Sequence, residues 1–116
     1  MKRDMDLIRL ILLEAQNGNL NSDIKGFESD VVKYHKKLAI EAGLLEGKVQ
    51  NNLENTSVVP SAVHVKDLTW HGHDFLDSIE SDNNWSKVKG YIKESGKIVT
   101  IETVKQAVKI VFQSLT

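Results

Sequence analysis

The segment VVKYHKKLAIEAGLLEGKVQ constrains the fold more than any other part of the chain. Up to Ala42 its apolar residues recur at helical spacing: at about 100° per residue, Val31, Tyr34, His35, Leu38 and Ala42 share one face. Gly43 then supplies the residue type that ends helices, because a left-handed turn carries no side-chain penalty in glycine. The run LLEGKVQ follows with no spacer and reads as a strand. Beyond the polar turn NNLENTS, VVPSAVHVKDL reads as its return, with Pro60 confined to an edge or a bend because it has no amide to donate. A helix from about Glu28 or Ser29 to Ala42 is therefore joined directly to a β-hairpin.

Around this unit the pattern is helical. DMDLIRLILLEAQ reads as a first helix with Asp4 as its cap, and Met5, Leu7, Ile8, Leu10, Ile11, Leu12 and Leu13 wrap most of its circumference, so it is buried on two sides. DIKGF suits a short extended piece, and NLNSDIKG is short and shows no obvious second helix, so an extended turn is expected in place of the first half of a standard helix-turn-helix. After the hairpin, TWHGHDFLDSIES predicts a helix capped by Thr69 with Phe75, Leu76 and Ile79 inward, and DNN breaks it. Trp85, Val88 and Ile92 mark a short amphipathic helix ending at Gly96. The last helix, capped by Thr100, carries a stripe of Val104, Ala107, Val108, Val111, Phe112 and Leu115. Both tryptophans are expected in the core.

A chain of 116 residues suits a single domain, with a core over 3–80 and a helical extension over 84–116. The longest apolar run falls far short of the roughly 20 residues a membrane span needs, which predicts a protein without membrane attachment. The lack of cysteine excludes disulfides and thiolate metal sites and agrees with a cytoplasmic location. A net charge of −1 argues against a strongly electrostatic nucleic-acid binder, so DNA affinity would need a locally basic face.

The expected fold class is mainly α (α+β): a helix that leads straight into a two-stranded wing is the arrangement of winged helix-turn-helix domains. MKRDMDLIR, YHKKLAIEAGLLEG and above all LTWHGHDFLDSIESDNNWSKVK resemble a winged-helix family of unknown function, number 2513 in the domain-of-unknown-function series, similar to the YjcQ-like proteins of bacteria and phages. The resemblance covers nearly the whole chain. It implies a small cytoplasmic protein of phage or prophage type and no assigned activity. His71 stands where the family usually has an acid, which removes about 0.3–1 kcal/mol of favourable interaction with the helix dipole.

Ser29, Lys33, Lys36 and Lys37 are the candidate DNA-contacting residues, set on the helix before the wing, where ammonium groups can hold phosphates. Ile40 shares that face, and an apolar residue there calls for a cover, so it is a candidate partner contact. Asp74 and Asp77 form a second candidate partner surface on an outer helix face. The wing offers only Glu54 between Lys48 and Lys66, with no basic residue to grip a groove. His71 and His73 are two apart, which directs them about 200° from each other on a helix, so no metal site is expected. His73 is expected to cap or pack, and His35 to be a hydrogen-bonded core residue. No nucleophile–base set, paired buried carboxylates or phosphate loop occurs, so neither catalysis nor a cofactor is expected.

Two functions follow as expectations. The first, favoured by topology, is a non-enzymatic DNA-binding regulator, dimeric through the excess apolar surface of the first helix. The second, favoured by charge, is a protein-interaction module on the same scaffold.

Overall fold

The computed structural model describes residues 1–113, so Leu115 of the expected terminal stripe lies outside the described residues. Among the described residues, five helices and one antiparallel hairpin form two compact units, Met1–Asp74 and the segment from Phe75 onward. The division falls inside a helix. The architecture is mainly α with a two-stranded sheet, consistent with a winged-helix-like fold. No helix among the described residues is long and apolar enough to cross a membrane.

In the first unit, α1 (Met5–Gln16) starts where the Asp4 carboxylate accepts from the amides of Asp6 at 3.0 Å and Leu7 at 3.3 Å. Met5, Leu7, Ile8, Ile11, Leu12 and Ala15 are buried and Leu10 and Leu13 half-buried, so the apolar surface wraps most of the helix as expected. Arg9 is buried with them.

The connection to the next helix holds no strand: DIKGF makes turns, with Ile24 buried. What the expected extended piece would do falls to one side chain. The Asn21 amide accepts from the Val65 N–H at 3.0 Å and donates to the Val65 carbonyl at 3.4 Å, imitating a neighbouring strand.

Helix α2 (Ser29–Glu41) buries Val32, His35, Lys36 and Ala39. This stripe is turned about one residue from the expected face: Val31, Tyr34 and Leu38 are half-buried and Ala42 is exposed. The reason is Lys36, whose four-carbon stem packs like a hydrophobe and so belongs to the inner face. His35 is the expected core histidine. Its Nε2 accepts from the Asp4 N–H at 2.9 Å, which leaves the proton on Nδ1 to donate to the Val31 carbonyl at 2.8 Å. The neutral ring thereby ties the cap of α1 to α2.

Gly43, at φ +77°, ends α2, and the amides of Gly43 and Leu44 donate to the carbonyls of Ile40 and Ala39. Strand β1 (Leu45–Gln50) then pairs with β2 (Ala62–Leu68), with one register irregularity between Glu46 and Gly47. The return strand begins four residues later than expected. Residues 51–61 are instead an ordered loop around Asn55, whose amide donates to the Val59 carbonyl at 2.9 Å while its oxygen accepts from the Ser57 N–H at 2.9 Å. Asn51 and Ser61 close it: the Ser61 N–H donates to Asn51 Oδ1 and the Asn52 N–H to Ser61 Oγ. Pro60 is buried at this bend.

Helix α3 (Trp70–Asp77) starts on Thr69, whose hydroxyl accepts from the Gly72 N–H at 2.9 Å and donates to the Gly43 carbonyl. Gly72 sits so close to Leu44 that a Cβ would collide with the Leu44 carbonyl oxygen. Trp70 departs from expectation: it is 81% exposed, because the inward positions of this turn fall at Gly72, Phe75 and Leu76. His73 is exposed for the same reason and neither caps nor packs.

The second unit contains α4 (Asp82–Glu94) and α5 (Ile101–Gln113), packed on each other. DNN is not a break but the first turn of α4, because Ser81 caps it by accepting from the Asn84 N–H at 3.0 Å. Trp85, Val88 and Ile92 are buried as expected. Helix α5 opens with a reciprocal cap: the Thr103 N–H donates to Thr100 Oγ1 and the Thr100 N–H to Thr103 Oγ1. Its stripe is buried at Val104 and Ala107 and half-buried at Val108, Val111 and Phe112.

Candidate functional site

The structure disperses the expected basic face. Lys36 retains 7% of its accessible surface and donates to the Ser22 carbonyl at 3.0 Å. Lys33 is half-buried with its ammonium on the Ser61 carbonyl at 3.3 Å, and Lys37 is half-buried with its own on the Val58 carbonyl at 3.4 Å. Lys37 also approaches Glu41 at 3.9 Å and the Tyr34 ring at 6.0 Å. All three lysines thus fasten neighbouring loops to α2 through backbone oxygens. Ser29 is exposed at the first position of the helix, whose preceding residue, Glu28, makes no side-chain cap.

The outward ridge of α2 is therefore not basic. It consists of Asp30 and Glu41, both exposed, with Tyr34 and Lys37 half-buried between them. Carboxylates at both ends oppose a phosphate backbone over the length of the helix.

Ile40 finds its cover at home. It is half-buried, and a Cβ placed on Gly47 would lie 3.1 Å from its Cδ1, so β1 packs against it and the partner contact expected there is made within the unit. Asp74 and Asp77 are both exposed as expected, and they belong to different units.

Two features were not foreseen. The loop over residues 51–61 presents Leu53, fully exposed, and Val58, 56% exposed, on its hydrogen-bonded frame. The only signal was an isolated leucine inside the polar run NNLENTS. The second is a cleft of about 130 Å³ lined by Asn21, Asp23, Ser29, Val32, Lys33, Lys36 and Val63. Burial there pushes the Lys36 ammonium below its usual range, and the Asp23 charge opposes that shift in part. Among the described residues, no three His, Asp or Glu side chains stand together as a metal-binding group.

Residues 2–98 match the family described as "Hypothetical protein (DUF2513)". An uncharacterized protein of Haemophilus influenzae is 35% identical over 121 aligned residues, covering 99% of this chain and 98% of the relative. No solved structure matches. With the family match over most of its length and a full-length relative beside it, the chain belongs to the DUF2513 family.

Proposed function

We propose that the protein is a non-enzymatic interaction module that engages a protein partner through the loop between β1 and β2. The carrying observation is the loop tip itself: Leu53 and Val58 are exposed on a frame already ordered by Asn51, Asn55 and Ser61. A preordered loop loses little entropy on docking, and two apolar side chains are suited to a partner's apolar pocket rather than to a phosphate backbone. The tip carries Glu54 and no basic residue.

DNA binding is the second reading. It is favoured by the passage of α2 directly into the hairpin, with Lys33 and Lys37 one turn apart and half-accessible. The first unit carries nine Lys and Arg against eleven Asp and Glu, which counts against it.

Titration with random-sequence duplex DNA at low and high salt separates the two. No binding at low salt is the expected result. Saturable, salt-sensitive binding that Lys33→Ala with Lys37→Ala abolishes, and Leu53→Ser with Val58→Ser leaves intact, overturns the protein-partner reading in favour of DNA.

A further inference from the structure

We propose that the cleft between the 21–29 segment, α2 and β2 is a binding site for a small phosphate-type oxyanion, held by Lys36 and Lys33 and oriented by the Ser29 hydroxyl. The site lies within the first unit and is independent of the loop tip.

Lys36 is the observation that demands a ligand. A buried charge is ordinarily paired, because removing it from water without a counter-charge is costly. Lys36 is more than nine-tenths buried, yet among the described residues it makes no ion pair; its ammonium is met by one neutral carbonyl, that of Ser22. Asp23 lines the same cleft and attracts it without closing a salt bridge. An ammonium has three donors, so this arrangement leaves capacity for an anion.

The surroundings fit that anion. Lys33 and Lys36 against Asp23 leave the lining with one net positive charge. Ser29 adds a hydroxyl that can donate to a phosphate oxygen, and Val32 and Val63 line the same cleft with apolar side chains. A water needs only about 10–15 Å³ of such space. At about 130 Å³ the cleft takes a tetrahedral oxyanion with its substituent directed to solvent. Phosphate of this kind comes from a free small molecule or from a nucleic-acid backbone, and the cleft chemistry is the same for both.

The test is a titration of the full chain with inorganic phosphate against chloride at equal ionic strength, followed by amide resonances. A single saturable transition at Ser29, Val32 and Lys36, with a millimolar constant, is expected. Lys36→Met keeps the stem and removes the charge, and should weaken binding about tenfold or more, equivalent to one decade in the constant. Lys33→Gln should weaken it less. If Lys36→Met does not fold, wild type and Lys33→Gln still decide the matter. Absence of saturation, or an unchanged constant in every folded variant, overturns the site. A random duplex is the second titrant: movement of the same resonances, reversed by free phosphate, identifies a backbone phosphate as the source, and a silent duplex identifies a free one.

Discussion

At the scale of single residues, Lys36 and His35 show how one buried stripe carries two opposite solutions. His35 satisfies both ring nitrogens with backbone partners and stays neutral, so its burial costs little. Lys36 carries a charge into the same face, and burial lowers its proton affinity relative to the unfolded chain. At neutral pH both states are protonated and the native state bears the full penalty. As pH rises through the lowered native value towards 10.5, the native state releases the proton first and the unfolded state holds more protons, so stability gains with pH. Lys36→Met lacks this gain. Urea unfolding at a series of pH values should therefore show the stability of wild type rising relative to Lys36→Met between neutral pH and 10.5; a constant difference would mean that Lys36 is not desolvated. None of this was legible in the sequence. A lysine in YHKKLAIE reads as solvent-facing, and only the three-dimensional packing around positions 32, 35 and 39 shows that its stem completes the stripe.

At the scale of elements, the helix-to-hairpin junction was readable because it is specified by backbone chemistry: Gly43 in the left-handed region, Thr69 as a cap, and alternation across the strands. The boundaries that were misread have local causes. Ser81 turns DNN into a helix start, and the loop at 51–61 is held by side-chain amides rather than by ladder bonds, which no apolar pattern encodes. Two glycines inside helices put the junction to a direct test. At Gly72 a Cβ would strike the Leu44 carbonyl oxygen, whereas at Gly90 in α4 nothing lies within 4 Å. Alanine is favoured over glycine in a helix by about 0.8–1.0 kcal/mol, so propensity alone predicts that both replacements stabilise. Steric overlap with a backbone group outweighs that term, at a cost of about 1–3 kcal/mol. Gly72→Ala should consequently lower the unfolding free energy and Gly90→Ala raise it by about 0.5–1 kcal/mol. Equal signs in denaturant unfolding would show that α3 does not approach Leu44 closely.

At the scale of the whole molecule, charge limits what the fold can bind. The near-neutral total divides into nine basic and eleven acidic residues up to Asp74, and six and five from Phe75 onward, so neither unit carries a large basic excess. The lysines of α2 read as a phosphate-binding face in the sequence because their number is visible there, while their acceptors are not: Ser22, Val58 and Ser61 lie far away in the chain, and their carbonyls carry no residue-type signal. Where no backbone phosphate enters the Lys36 cleft, Lys33 and Lys37 are the α2 lysines left to displace counterions from a duplex. Each neutralised phosphate contributes about 0.9 to the slope of log affinity against log salt, so α2 can supply a slope of about −2, where a protein making six to ten phosphate contacts shows about −5 to −9. Lys33→Ala should lower that slope by about one, and Lys37→Ala likewise, in any assay where binding is measurable. A slope of −5 or steeper would place further cations on the DNA and require a basic surface beyond α2. A slope that the two replacements leave untouched would remove Lys33 and Lys37 from the phosphate contacts and place the contacting cations elsewhere on the chain, outside the loop of Leu53 and Val58, which carries no basic residue.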